Sequence, residues 1–380
     1  MLTVLLSACS SGDAAEETKE ATHQQPQLAI YVYAPEQAAA KRNAAPTRAD
    51  VGEVDPINNT INEGTINSLQ LWVYEKNDPG KYVGYFSTED VTALNEGVGT
   101  TYQIPVSDDF ATNKPDVNVY VIANVTNANC GVEPLDKNTI RTALLDGAKI
   151  TTDHFGLGTL VKSVPEDGLP FSGMLTGQTV VGDAPALRVG TLSAVSTVQL
   201  TRAVSKLRFV FAKTKGEPKV SITSIKMNAE MIPNEEYLFQ TPASMTYNTA
   251  AAELLPSPSH ISDIAETADP TQYLYTNQDA QAYEDLINTA ASKQPNPEVT
   301  VYGPIYLRES DKQLAGTITY TIGGGSPQTA NFTMQKAGDF SRNHTWIVYA
   351  YYAGAGNLQV ESLYVKEWST KELNHQVYNW

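Results

Sequence analysis

The stretch LAIYVYAPEQAAAKRNAAPTRAD, residues 28–50, joins an alternating apolar run to a polar segment that contains basic residues. The first seven residues alternate between two faces, which predicts a β-strand with one buried side. The side chains on that buried side are Leu28, Ile30, Val32 and Ala34. Pro35 ends the strand. The way this strand pairs with the rest of the chain therefore decides the N-terminal part of the fold.

The segment after Pro35 is Ala-rich and polar and has little tendency to form regular structure. It contains Lys41-Arg42 and then Arg48-Ala49. Exposed linkers of this kind are the preferred sites of proteolysis. A strand that is cut away from its own domain leaves an unpaired groove behind it. The sequence thus predicts that residues 28–48 form a removable first strand and a processing linker.

The composition favours a soluble, acidic, all-β protein. The 380 residues are enough for two domains with substantial cores. The 42 acidic residues outnumber the 26 basic ones and give a formal net charge of −16, which argues against nucleic acid or an anionic membrane as a partner. The 20 tyrosines, with many Thr and Val, are typical of β-sheet proteins. The two cysteines cannot form a disulfide framework.

The N-terminal residues have the pattern of a targeting element. A short apolar run, residues 1–8, ends in small residues before Cys9, as in a signal peptide. This pattern resembles a bacterial lipobox, which implies export, acylation of Cys9 by a fatty acid such as palmitate, and anchoring in the outer membrane. Residues 9–27 are polar and predict a lipoprotein tether. The usual basic start is missing, which leaves the position of the true start codon open.

The remaining sequence alternates short strand patterns with turn residues, which predicts two β-sandwiches with a boundary near residue 190. The predicted strands are 66–75, 82–86, 101–106, 117–123, 195–201, 207–211, 221–231, 299–307, 313–322, 330–334 and 345–352. Short helices are predicted at 136–146, capped by Asp136, and at 279–292. Residues 243–272 are rich in Pro and Ser and predict a surface excursion.

No residues in the sequence have the spacing of an active site or a metal site. The five histidines are scattered, and none has a second ligand at helical spacing. The run Gly323–Ser326 lies between two strand patterns and is expected to be a hairpin turn rather than a phosphate loop. The acidic pairs Asp108-Asp109 and Glu235-Glu236 are expected to be solvated. We therefore predict no catalytic residue, no cofactor and no metal, and we do not expect an enzyme.

Two further motifs follow the lipobox and the basic linker in a distinctive order. They are TRAVSKLRF at 201–209 and FSRNHTW at 340–346, and the chain ends in Trp380. In this order the motifs resemble those of the fimbrillins, the subunits of type V pili in Bacteroides-type bacteria, and the resemblance covers the whole chain. It implies two transthyretin-like β-sandwich domains, here residues 49–190 and 191–380.

The resemblance also implies a route of assembly. A fimbrillin precursor travels as a lipoprotein, and an Arg- or trypsin-like protease at the outer surface removes its first strand. On this chain the cut falls between Arg48 and Ala49, with Lys41-Arg42 as a second possible site. A strand from another copy or from a related pilus subunit then fills the groove. The expected location is the outer membrane first and the fimbrium at the cell surface afterwards.

The candidate donor strand is at the C-terminus. In the segment Lys371–Trp380 the alternating positions are Leu373, His375 and Val377, alongside Tyr378 and Trp380. The segment Leu358–Trp368 also alternates, and it is either the last strand of the second sandwich or the donor itself.

An alternative function is that of a tip adhesin or a surface glycan-binding lipoprotein that does not donate a strand. Such a protein would present exposed aromatic side chains, and Trp72, Tyr31 and Tyr82 are the candidates. Tyr and Trp that alternate along a strand also pack in cores. The two functions differ in whether removal of residues 371–380 abolishes assembly.

Overall fold

The structure is a computed structural model that describes residues 24–34, 63–77, 80–95, 99–125, 135–151, 164–165, 167–240, 244–255, 260–274, 296–334 and 340–367. Within these ranges strands predominate, which confirms the all-β prediction. The helices are short: α1 Thr92–Asn95, α2 Asp108–Asn113, α3 Arg141–Gly147 and a 3-10 turn at Pro270–Tyr273. None of the helices in the described ranges has the length and apolarity needed to cross a membrane.

The first sandwich is formed by short strands that mostly follow the predicted alternation. They are β1 Gln27–Tyr33, β2 Leu69–Glu75, β3 Tyr82–Thr88, β4 Thr100–Pro105, β5 Val117–Ala123, β6 Lys149–Thr151, β7 Phe171–Gln178, β8 Val180–Asp183, β9 Ala186–Val189, β10 Thr197–Gln199 and β11 Thr201–Arg202. One sheet contains β1, β4, β8, β9 and β10, and the other has the order β11-β7-β5-β2-β3. All of β5 is buried, as its continuous apolar run predicts for a central strand.

The second sandwich follows directly. Its strands are β12 Ser205–Thr214, β13 Val220–Met227, β14 Glu235–Tyr237, β15 Ala252–Leu255, β16 Ala265–Thr267, β17 Thr300–Leu307, β18 Ala315–Ile322, β19 Gln328–Thr333, β20 His344–Tyr352 and β21 Gln359–Glu367. One sheet has the order β16-β12-β20-β21 with β17 also paired to β12, and the other has the order β15-β13-β18-β19. The short β14 instead pairs with β6 of the first sandwich.

Each sandwich has its own hydrophobic core. Trp72 lies in the first core and Trp346 in the second, and both side chains are fully buried. The second sandwich also buries the outer face of its β12 sheet, where Val210, Ile347 and Tyr349 pack beside the 3-10 turn. Tyr349 Oη donates to the carbonyl of Pro270 at 2.8 Å. Packing on both faces explains why nearly every residue of β12 is buried, including its charged ones.

The two cores divide the chain later than the expected boundary near residue 190. β10 pairs with β1 and β11 pairs with β7, so both strands belong to the first sandwich. Val204 packs in the first core and Leu207 in the second. The connection between β11 and β12 is short, and it contains no Gly, Pro or charged residue that would mark it in the sequence.

The helix predicted at 136–146 begins only at Arg141, and Asp136 does not cap it. Asp136 Oδ1 instead accepts a hydrogen bond from the backbone N–H of Asn138 at 2.7 Å, in a turn before the helix. Asp side chains readily bond the backbone two residues ahead, which competes with capping. Ile140, just before the helix, is 64% exposed, whereas Leu144 packs in the first core.

The surface excursion predicted at 243–272 contains two strands, so that prediction is wrong in part. β15 pairs with β13, and β16 runs parallel to the end of β12. Both strands are too short to show an alternating pattern within a Pro- and Ser-rich segment. The helix predicted at 279–292 lies outside the described residues.

The Gly-rich run at 323–325 is a hairpin turn between β18 and β19, as predicted. Gly323 and Gly324 have φ values of 60° and 75°, which glycine adopts without steric cost. The pair Asp108-Asp109 is exposed in the first turn of α2, where the negative charge of a carboxylate interacts favourably with the positive end of the helix dipole.

Candidate functional site

The first strand, β1, is built into the core of the first sandwich. Its burial alternates strictly, and Leu28, Ile30, Val32 and the following Ala34 are all at most 1% exposed. Its other face is half-buried, and a Cβ at Gly99 would overlap the Tyr31 ring, so the chain before β4 passes directly over that ring. The predicted strand is therefore present, and its four predicted inward positions all point into the core.

Both edges of β1 are hydrogen-bonded to strands that follow it much later in the chain. β4 runs antiparallel to β1 from Gln27 to Val32. On the opposite edge, β9 runs parallel to Gln27–Ala29 and β10 runs parallel to Tyr31–Tyr33. The strand is thus central in its sheet, although it is the first strand of the sequence.

The groove that holds β1 is lined by apolar side chains in register with its own. Leu28 lies opposite Ile104 of β4 and Leu187 of β9. Ile30 lies opposite Tyr102, and Val32 lies opposite Val198 of β10. Burial of a side chain of this size contributes about 1.5–3 kcal/mol. Loss of the strand would therefore expose an apolar trough together with two unpaired backbone edges.

The linker between β1 and Glu63 holds the predicted processing sites. Arg48, Ala49 and Lys41-Arg42 all lie in residues 35–62, outside the described residues. From Ala34 to Glu75 the sequence contains only three basic residues, Lys41, Arg42 and Arg48. A protease that requires Lys or Arg therefore has its sites between β1 and β2 confined to this linker.

Of the two candidate donor strands at the C-terminus, most of one lies within the described residues and the other lies outside them. Backbone pairing places β21, Gln359–Glu367, antiparallel to β20 at the end of its sheet. This pairing matches the interpretation of Leu358–Trp368 as the last strand of the second sandwich. The donor residues Leu373, His375, Val377, Tyr378 and Trp380 lie outside the described residues, as does Cys9.

The first motif, 201–209, supplies a buried cluster around Glu63 that sequence reasoning missed. The Glu63 carboxylate accepts hydrogen bonds from Lys206 Nζ and Tyr306 Oη, both at 2.6 Å. Arg202 Nε donates to the Glu63 carbonyl at 3.0 Å. Burial acts to raise the pKa of Glu63, but Lys206, Arg208 and Arg202 together hold it below its ordinary value. Glu63 lies in the polar sequence before β2, and the composition of that sequence gives no sign that a carboxylate is buried there.

The second motif, 340–346, supplies a second cluster around Arg342. The Arg342 guanidinium lies 2.5 Å from Glu309 Oε1 and 3.3 Å from Glu236 Oε1. It also donates to the carbonyls of Tyr237 and Leu238, at 2.8 and 3.2 Å. Glu236 is buried, so the expectation that both residues of the pair Glu235-Glu236 are solvated is wrong for Glu236. Alternation along β14 places the neighbouring carboxylates on opposite faces.

The Glu236 carboxyl should make stability fall as the pH rises. Burial raises its pKa to about 8 despite the opposing pull of Arg342, and the Glu309 carboxylate raises it further. Since the unfolded value is near 4.5, the folded state holds an extra proton between these values, and its stability decreases across that range. Glu236→Gln should remove this pH dependence of the free energy of unfolding. Between pH 5 and pH 9 the variant should therefore lose on the order of 3 kcal/mol less stability than the wild type.

Urea unfolding of the wild type and Glu236→Gln at pH 5, 7 and 9 measures this effect. The matched control is Glu235→Gln, one residue earlier, whose side chain is 38% exposed beside Lys149. The control should keep the wild-type slope. A Glu236→Gln slope equal to that of the wild type would contradict the assignment.

The described residues offer little for other chemistry. They contain no group of three or more His, Cys, Asp or Glu side chains that could hold a metal ion. Trp72 is fully buried, and its Nε1 donates to the Asp136 carbonyl at 2.9 Å, so it cannot serve as a sugar platform. Tyr31 is half-buried, and Tyr82 is 43% exposed.

Comparison with known proteins gives only structural likenesses. No protein-family model matches the chain, and no curated protein matches it. One similar solved structure is the tip fimbrial protein Mfa3 from Porphyromonas gingivalis with a C-terminal truncation, at 11% identity and a TM-score of 0.46, covering 90% of this chain and 100% of that chain. Another is a fimbrial assembly protein from Parabacteroides distasonis, at 12% identity and a TM-score of 0.43, covering 89% of this chain and 96% of that chain. Over most of its length, the chain is thus similar to solved fimbrial proteins of these two bacteria.

Proposed function

We propose that this protein is a structural pilus subunit that assembles by strand exchange at the cell surface. The observation that carries the proposal is β1: it fills a groove that later strands form, and the basic residues between it and β2 are confined to one linker. In this proposal the precursor is exported as a lipoprotein through Cys9 and is held at the outer membrane until a protease cuts after Arg48. Its partners are then copies of itself or related subunits of a fimbrium.

Strand exchange follows from the physical state of the groove after cleavage. Departure of β1 would leave unpaired N–H and C=O groups on β4, β9 and β10, together with the apolar positions that faced Leu28, Ile30 and Val32. An extended segment from another subunit can satisfy both, with alternate side chains giving specificity. Because donor and acceptor surfaces differ, each addition exposes a new groove, and such head-to-tail contacts produce filaments.

The C-terminal segment Lys371–Trp380 is the donor that we favour. Its alternate positions Leu373, His375 and Val377 would share one face of an extended strand, and two of these three side chains are apolar, as the groove requires. The other candidate, Leu358–Trp368, includes β21, which already pairs with β20. Donation of β21 would therefore break an existing set of hydrogen bonds in its own sandwich. Removal of residues 371–380 should prevent polymerisation while leaving the precursor folded.

Blocking the cut should block assembly. Purified wild-type precursor treated with a low dose of trypsin should be cleaved between Arg48 and Ala49 and then give a ladder on a gel run without boiling. The triple variant Lys41→Ala, Arg42→Ala, Arg48→Ala should reduce the ladder by roughly tenfold or more, because it leaves trypsin no basic residue in the linker, so that β1 stays covalently attached and competes with any donor at high effective concentration. Mass spectrometry of the fragments checks the position of the cut.

The matched control is the double variant Lys41→Ala, Arg42→Ala, which keeps Arg48 as the basic residue of the linker. It should still be cut at Arg48 and should still form the ladder. The proposal fails if cleavage at Arg48 is complete and no ladder appears, or if uncut precursor forms the same ladder.

A further inference from the structure

At the contact between the two sandwiches, each sandwich places a side chain or a segment among residues of the other. Glu63 precedes β2 and so belongs to the chain of the first sandwich. Its carboxylate, however, lies between Lys206 of β12 and Tyr306 of β17, both in the second sandwich. Its backbone carbonyl is held by Arg202 of β11, in the first. We call this arrangement the Glu63 clasp.

A segment of the second sandwich crosses in the opposite direction. We call residues 235–240 the strap. Leu238 and Phe239 of the strap pack in the first core, and the Phe239 ring lies 5.0 Å from that of Tyr120. The Leu238 N–H donates to the Ala148 carbonyl at 2.9 Å. The strap also contains β14, which pairs with β6.

The strap is fastened to its own sandwich by Arg342. This guanidinium, two residues before β20, donates to two strap carbonyls and is held in turn by Glu309 just after β17. The Glu309 N–H donates to Glu236 Oε2 at 2.8 Å, which ties the strap a second time. The strap therefore connects the first core to the β17 and β20 ends of the second sandwich.

The covalent connection between the sandwiches leaves little room for a hinge. β11 ends at Arg202 and β12 begins at Ser205. Ala203 and Val204 between them are fully buried, and the Ala203 N–H donates to the Pro170 carbonyl at 2.8 Å. The N–H of Asn343, in the second sandwich, donates to the Val204 carbonyl at 2.9 Å. The connection is thus fixed from both sides.

We propose that the Glu63 clasp and the strap lock the two sandwiches into one mechanical unit that unfolds in a single step and transmits force without a hinge. A clasp of buried charges resists separation because opening it leaves Glu63 or Lys206 uncompensated. The strap adds apolar burial and backbone pairing. Glu63 also lies after Lys41, Arg42 and Arg48, so cleavage at any of these residues leaves the clasp intact. The proposal is independent of strand exchange, since it concerns the uncut chain as well as the cut one.

Pulse-labelling hydrogen exchange along a urea titration of the full chain tests the proposal. Peptides from β5 report unfolding of the first core, and peptides from β20 report unfolding of the second. In the wild type the two sets should become exchangeable at one common urea midpoint. Separate midpoints in the wild type would overturn the proposal.

The variant Glu63→Ala with Arg342→Met removes the clasp and the strap fastening together. Its β5 and β20 midpoints should separate by about 1 M urea, because loss of buried ion pairs at the junction uncouples the two cores. Coincident midpoints in this variant would overturn the proposal. If the double variant does not fold, the milder pair Glu63→Gln with Arg342→Lys takes its place; it weakens the same clasp and the same fastening, and the same two outcomes decide.

The matched control is Glu253→Gln, which breaks an ion pair of similar length elsewhere. Glu253 lies 2.7 Å from Lys226 on the surface, compared with 2.6 Å between Glu63 and Lys206 in the clasp. The control should keep a single common midpoint, which shows that a separation comes from the junction and not from loss of any Lys–Glu pair.

Discussion

Ile30→Asp should unfold the first sandwich of the precursor. Ile30 is fully buried at the centre of β1, and an aspartate there would lose the apolar burial and place a carboxylate in the core. These two effects together cost more than about 5 kcal/mol, which is comparable to the whole stability of a typical domain. We expect loss of soluble precursor, and in any soluble fraction a red-shifted fluorescence of the buried Trp72.

The matched control is Ala29→Asp, which introduces the same residue one position earlier. A one-residue step along a strand changes the face, so this aspartate points away from the core, beside Arg188 in the register of β9. Ala29→Asp should give soluble precursor with wild-type fluorescence. Equal solubility of the two variants would show that β1 is not docked in its groove.

The Ile30→Asp substitution can also be tested in trans. A synthetic peptide of residues 26–35 should bind the trypsin-cleaved subunit and suppress the ladder, because it restores both edges of the groove. The peptide with Asp in place of Ile30 should not suppress it. Equal suppression by the two peptides would indicate that the groove does not select apolar side chains at alternate positions.

Lys206→Met should destabilise the protein by about 3–5 kcal/mol at neutral pH. Lys206 and Glu63 are both almost fully buried, and the substitution leaves the Glu63 carboxylate without its closest cation. Urea unfolding at pH 7 measures the loss. The double variant Lys206→Met, Glu63→Gln should recover part of it, since a neutral amide can remain bonded to Tyr306.

The pH dependence gives a second test of this cluster. The pKa of Glu63 is lowered in the folded wild type, so its contribution to stability is present above about pH 4.5 and is lost as the pH falls through the folded value. In Lys206→Met this contribution should shrink, and the difference between variant and wild type should narrow towards low pH. The exposed-pair variant Lys226→Met is the control and should cost no more than about 1 kcal/mol. An equal loss from the two substitutions would contradict a special role for the buried pair.

Much of the fold could be predicted because most strands carry their pairing pattern locally. Leu28–Ala34 alternates over one complete strand, and Val117–Ala123 is apolar along its length, so each predicts its own place in a sheet. The glycines at 323–325 predict a hairpin turn because glycine adopts the positive φ values of such turns without steric cost. Where the pattern was too short, as in β15 and β16, or where a local turn competed with a helix, as at Asp136, the predictions were wrong or shifted.

The candidate site could be predicted in part. Alternation identified the inward side chains of β1, and the basic residues identified the linker. Neither could show that β1 is central, because its partners β9 and β10 lie about 160 residues away in the chain and loop closure over that distance leaves no local signal. The charged clusters were missed for a similar reason, since Glu63 and Tyr306 are separated by most of the chain.

The sequence by itself determined the all-β class, the strand at 28–34 with its buried face and the confinement of the basic residues between β1 and β2 to one linker. These properties depend on side-chain periodicity and composition, which neighbouring residues carry. Only the tertiary structure decided that β1 has partners on both edges, that the sandwiches divide after Val204 and that Glu63 and Glu236 are buried. Those properties depend on which distant strands meet, and a carboxylate becomes buried only where the fold brings cations and hydrogen-bond donors from other strands to it.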